Sequence, residues 1–245
     1  MKIRLLTPLL VLALGGTAMA QTPSILEGLL PPGSASTSGQ IIQMLAVLTV
    51  LSIAPGLLIM VTSFTRFAIA FSLLRAGLGL QTTPANLVMI SLALFMTFYV
   101  MAPVFDRAWQ NGVQPLVNNQ ITQDVAMNEI TTPFREFMLR QVRDKDLRLF
   151  EDLADESFRT KADGVVDLRI LIPAFMISEL RRGFEIGFLI VLPFLVIDLI
   201  VATLTMSMGM MMLPPTVLSL PFKILFFVLI DGWNILVGSL IRSYT

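Results

Sequence analysis

Cysteine and histidine are both absent from the 245 residues. Their absence excludes disulfides, zinc sites of the usual His/Cys type, and Ser-His-Asp or Cys-His catalysis. Charge is also scarce: only 14% of residues are charged, and Lys+Arg and Asp+Glu balance at 17 each. There is no basic excess to neutralise a phosphate backbone, so nucleic acid is not an expected partner. Apolar sequence is plentiful instead. With 55% hydrophobic residues and a mean hydropathy of +0.80, the chain reads as a membrane protein.

The opening "MKIRLLTPLLVLALGGTAMAQTPS" places Lys2 and Arg4 before a short apolar run and Ala18-Met19-Ala20. That order describes a secretory signal peptide over 1–20, cut after Ala20; a first membrane helix is the other reading of the run. "PPGSASTSG" (31–39) lies in a flexible linker, 21–40. Uncharged runs at 40–64 and 86–105 are each long enough to span, with Pro55-Gly56 as an expected kink in the first. They make a first hydrophobic hairpin, 41–105. The connection between them carries Arg66 and Arg75, which the positive-inside rule places in the cytoplasm.

Residues 106–182 hold most of the charges in both signs and are expected to form an amphipathic helical insert on the outer side. Thr132 is the expected N-cap and Pro133 the first helical residue of one of its helices, with "RTKADG" (159–164) as a break. "RQVRDKDLR" reads as a solvated face. A second hydrophobic hairpin, 183–245, turns at Pro214-Pro215, with Pro193, Gly209 and Pro221 as possible bends. Each arm has about thirty residues, roughly 45 Å, and exceeds the ~30 Å hydrocarbon layer. The fold class is therefore all-α: four long apolar helices in two hairpins, with a helical insert. The absence of an internal repeat argues against an inverted-repeat transporter.

Charges inside apolar runs single out Asp198, Asp231 and Lys223. With the apex at Pro214-Pro215, the two acids lie at one depth. They then admit two readings: a shared-proton dyad, as in an intramembrane aspartyl protease or a small-solute transporter, or packing residues that accept hydrogen bonds. Asp231 sits in "LIDGWN", which lacks the Gly-x-Gly-Asp pattern of that protease class. Lys223 is level with Met206 in a straight hairpin, so Glu179 of another copy is the expected partner, against snorkelling of the stem. "MSMGMMMLPP" crowds Met206, Met208, Met210, Met211 and Met212 around Gly209. Unbranched thioether chains fill gaps at a helix end; arranged in a ring, they would also form a deformable constriction that excludes water and ions.

The blocks "TSFTRFAIAFSLLRAGLGLQTTPANLVMISLALFMTFYVMAPVF", "FMLRQVRDKDLRLF" and "LIPAFMISELRRGFEIGFLIVLPFLVIDLIVATLTMSMGMMMLPPTVLSLPFKILFFVLIDGWNILVGSLIRSY" resemble the FliP family of flagellar type III export-gate proteins, which has injectisome relatives. The resemblance extends over nearly all of the chain after the leader. It implies a non-enzymatic pore subunit without a cofactor, assembled as a helical ring of about five copies. FliQ-type and FliR-type proteins would complete the gate, with FlhA-type and FlhB-type components around it, in the inner membrane at the flagellar base. Both ends of the mature chain would face the periplasm. Unfolded flagellar proteins would be the cargo, and Met206, Met208, Met210, Met211 and Met212 would form the gasket of the closed pore.

Overall fold

The computed structural model describes residues 37–80, 84–155, 165–209 and 214–244. The leader with Ala20, most of the 21–40 linker, the "RTKADG" break and Met210, Met211 and Met212 lie outside the described residues. The chain divides into two compact units at Val50/Leu51. In the first, the described residues belong to the leading part of helix α1 (Thr37–Met60), where the Thr49 hydroxyl donates back to the Leu45 carbonyl at 2.7 Å.

The second unit contains the rest of α1 and all that follows. α1 continues through Pro55-Gly56 and ends at Met60, and the chain turns at 61–63. α2 (Phe64–Leu78) follows at once, in the stretch expected to be a cytoplasmic connection. Its apolar residues Phe67, Ala70, Phe71, Leu74 and Leu78 recur every three or four positions and are all buried. Gly79 ends it in the left-handed region, φ 77°; its N–H donates to the Ala76 carbonyl and that of Leu80 to the Arg75 carbonyl. This pairing satisfies the carbonyls a helix leaves open at its C-terminus.

α3 (Asn86–Ala108) runs through a π-helical turn at Trp109–Val113 into the short α4 (Gln114–Val117). α5 (Gln123–Gln141) and α6 (Asp144–Leu153) form the insert. α5 begins at Gln123, nine residues before Thr132, so Thr132 is not an N-cap. Its hydroxyl donates to the Asn128 carbonyl within the helix at 2.7 Å. α7 (Leu168–Ser207) is a single helix of 40 residues, roughly 60 Å long. It crosses the expected 182/183 boundary without interruption, so the insert and the second hairpin share one helix. α8 (Pro215–Leu229) and α9 (Gly232–Arg242) complete the chain and are bent by 64° at Ile230-Asp231.

Among the described residues, Asn86–Val117 and Leu168–Ser207 are each long and apolar enough to cross a membrane. The α1–α2 and α8–α9 pairs qualify only if each broken pair counts as one span. The four long apolar helices expected from sequence are thus two unbroken and two broken ones.

α2 and α7 run side by side in the same direction at close range. Gly183 and Gly187, four apart on α7 in "RRGFEIGF", receive Ile69 and Leu73, four apart on α2. A Cβ on Gly183 would sit 3.1 Å from that of Ile69, and one on Gly77 would sit 2.9 Å from Val191. This is the small-xxx-small packing that lets two backbones approach. One core cluster gathers Phe67, Phe71, Leu74, Phe194, Phe227 and Leu240 around that seam. A second joins Met101 and Val104 of α3 to Phe137 and Met138 of α5 and to Leu171 and Phe175 of α7.

Candidate functional site

The second hairpin is formed by α7 and α8. α7 closes with the Met208 N–H donating to the Leu204 carbonyl at 3.1 Å and the Gly209 N–H to the Met206 carbonyl at 3.0 Å. Gly209 then takes φ 72°, a turn conformation that a side chain would oppose. Pro214 flanks α8 and Pro215 is its first residue, where a missing N–H costs nothing. The two prolines therefore start the second arm. Met206 is 61% exposed and Met208 73% exposed at the tip of α7. Between the arms, Val201, Leu204, Met208, Val217 and Pro221 line an open apolar groove.

Above the groove is a buried ionic node. Lys223 Nζ donates to Asp198 Oδ2 at 2.6 Å and to the Gly77 carbonyl at 3.0 Å; Ser219 Oγ donates to Asp198 Oδ1 at 2.5 Å. The Lys223 side chain is only 5% exposed. Gly77 lies in the last turn of α2, where unpaired carbonyls carry partial negative charge, so the ammonium is shared between a carboxylate and a helix end. One lysine thereby ties α2, α7 and α8.

These contacts change the expected register. Asp198 faces Ser219 and Lys223, which centres the hairpin near Gly209 and not at Pro214-Pro215. Asp231 is consequently not level with Asp198. It lies eight positions beyond Lys223, where α8 breaks, with φ 51° and an exposed side chain. The hairpin brings together an acid and a base, not two acids, and the dyad has no shared position.

The second ionic node is at the start of α2. Arg66 and Glu179 pair with both side chains 0% exposed. Arg66 Nε donates to Glu179 Oε2 at 3.0 Å and Nη2 to Glu179 Oε1. Nη2 also donates to Gln141 Oε1 at 3.2 Å, and Nη1 to the Ser243 carbonyl and hydroxyl at 3.0 and 2.8 Å. All five guanidinium donors are thus used. The Tyr244 ring lies 3.7 Å from the Arg66 carbon. Within the chain Glu179 does not reach Lys223: each pairs with a residue of its own chain, Arg66–Glu179 and Lys223–Asp198. Nor is Arg66 a loop charge facing the cytoplasm. It is a buried charge neutralised in place.

A third polar contact docks the insert. Arg143 bonds Asp146 through Nε and Nη2 at 2.9 and 2.7 Å, and Ser178 Oγ donates to Asp146 Oδ2 at 2.6 Å. The Arg143 N–H in turn donates to Ser178 Oγ at 3.1 Å. Burial pushes the Asp146 carboxyl up, but the Ser178 and Arg143 hydrogen bonds outweigh it and hold it below the ordinary carboxylate range. "RQVRDKDLR" is therefore only partly a solvated face, since Asp146 is buried within it.

Sequence reasoning missed Arg66, Gln141, Ser178, Ser219 and Tyr244. The available signal was the helical spacing of apolar residues around Arg66, ended by Gly79. Large apolar side chains remain exposed on the outward faces, among them Phe95, Phe98 and Tyr99 of α3 and Phe184, Phe188 and Leu189 of α7. Such surface belongs in lipid or against protein.

The FliP family model matches residues 47–240. The chain is similar to the flagellar biosynthetic protein FliP of Rhizobium meliloti, 64% identical over 96% of each chain, and to that of Agrobacterium fabrum, 63% identical over 98% of each. The protein of the same name from Bacillus subtilis is 48% identical over 83% of this chain and 91% of its own. By that match over most of its length, the chain belongs to the FliP family.

Proposed function

We propose that this protein is a pore subunit of the flagellar protein export gate, and that its methionine hairpin seals the closed pore. As a FliP family member it is a membrane component of flagellar biosynthesis and not an enzyme. The observation that carries the reading is the hairpin: apolar arms converge on Met206 and Met208, both well exposed at the tip, while Lys223 and Asp198 fix the arms behind them. Met210, Met211 and Met212 follow in the sequence. A ring of about five copies would gather these loops around one axis, with adaptable side chains that exclude ions yet part for an unfolded chain.

The outward apolar faces of α3 and α7 suit both lipid and neighbouring subunits, so FliQ-type and FliR-type proteins are the proposed partners within the gate. FlhA-type and FlhB-type components would surround it in the inner membrane, with both ends of the mature chain on the periplasmic side. Because the chain contains no cysteine, a Met208→Cys variant offers one defined thiol. In cells carrying a stalled, cysteine-bearing export substrate and treated with an added thiol oxidant as electron acceptor, Met208→Cys is expected to form a disulfide with that substrate, whereas a cysteine at exposed Leu149 of the insert is not. Equal cross-linking at both positions, or none at Met208, would refute the pore assignment.

A further inference from the structure

Ser243 and Tyr244 follow α9 as a short strap across the start of α2. The Tyr244 ring rests on Phe67 and Phe137 at 5.8 and 5.9 Å between centroids and lies under the Arg66 guanidinium. Its carbonyl accepts from Gln141 Nε2 at 3.3 Å. Its hydroxyl stands between Glu179 Oε2 and the Ser63 carbonyl, the latter at 3.2 Å, and has one proton for these two acceptors.

The Ser63 contact matters because the corner at 61–63, where α1 gives way to α2, has little holding it locally. Ser63 occupies the N-cap position of α2 but makes no side-chain cap bond, and its buried hydroxyl has no partner. The Thr62 hydroxyl reaches the Ile59 carbonyl at 3.5 Å and accepts from the Phe64 N–H at 3.5 Å, both at the outer limit of a hydrogen bond. An N-cap that does not cap leaves the first-turn donors of α2 without the usual side-chain acceptor. Yet Thr62 and Ser63 are 4% and 0% exposed, so water does not compensate.

We infer that Tyr244 is a positioning residue that closes the α1–α2 corner, holding the Ser63 carbonyl and shutting the Arg66–Glu179 pair away from water. The device is a strap: when Tyr244 leaves, the corner becomes a hinge and the ion pair is opened from the same side. α9 supplies the strap, and Leu236 and Leu240, buried in the core, anchor it. The end of the second hairpin thereby determines how freely the chain moves where the first apolar segment enters the core.

Hydrogen–deuterium exchange on the full chain in detergent tests this. Tyr244→Phe keeps the ring over Arg66 and removes only the hydroxyl; it is expected to speed exchange at amides 61–66 about threefold, less than one full hydrogen bond because Glu179 shares the proton. Tyr244→Leu is expected to speed it further, with α6 amides at 144–153 unchanged in both. Unchanged exchange at 61–66 in Tyr244→Phe overturns the proposal, as does a rise of equal size throughout the chain. If Tyr244→Leu does not fold, the Phe variant alone decides.

Discussion

Replacing Arg66 by Met tests the node on which four parts of the chain converge. The guanidinium and Glu179 are both fully buried, and Arg66 donates to Glu179, Gln141 and Ser243. Removing it leaves a carboxylate without its cation, held by the Tyr244 hydroxyl. Breaking a buried pair by deleting one partner costs about 3–5 kcal/mol, against a total stability of about 5–15 kcal/mol for a typical domain. Arg66→Met should therefore lose more than a hundredfold in folded-to-unfolded ratio. The double variant Arg66→Met, Glu179→Met removes the orphaned charge and should recover most of the loss. Recovery will be incomplete because Gln141 Oε1 and the Ser243 carbonyl still lack their donor, at about 1–3 kcal/mol for each group left unsatisfied. Denaturation midpoints of the purified protein in one detergent give all three values. A single variant within about 1 kcal/mol of the parent, or a double variant no more stable than the single, would show that the pair does not hold this node together.

Three further outcomes follow from the geometry. Gly187→Ala drives a methyl into Leu73 across the α2–α7 seam and should destabilise by about 1–3 kcal/mol, with partial rescue by Leu73→Ala in the same melting assay. The Asp146 carboxyl titrates below its unfolded value, so its contribution is fully present above the ordinary carboxylate range and is lost as pH falls through the depressed value. Proteolysis of the insert should rise over that window and become pH-independent there in Asp146→Asn. Lys223→Met leaves Asp198 Oδ2 and the Gly77 carbonyl without the ammonium, while Ser219 still donates to Asp198 Oδ1. Its cost should be smaller than that of Arg66→Met, because Asp198 is 29% exposed and can be hydrated, and Asp198→Asn in the same chain should restore part of the melting point.

The long apolar helices were legible because uncharged runs of spanning length admit few other structures. α2 was not, because Arg66 and Arg75 resembled loop charges. A charge counts as a topology marker only when it is exposed, and burial of Arg66 depends on Glu179, more than a hundred positions away. Pro133 misled in a related way: proline suits a first helical turn, but α5 begins at Gln123 and accommodates it inside. At the hairpin, the composition of 206–215 was plain, whereas the register was not. Equal distances from two prolines gave an Asp198–Asp231 level; the Gly209 turn and the reach of one lysine gave Asp198–Lys223.

The role proposed for the methionines of the hairpin is to hold ions back. The most direct measurement is ion permeability of cells expressing a chain from which Met210, Met211 and Met212 are deleted, with substrate export followed in the same cells. A leak that slows growth while part of the export activity persists is the predicted result. Permeability equal to that of the parent, with the altered protein present at the parent's level in the membrane, would contradict it.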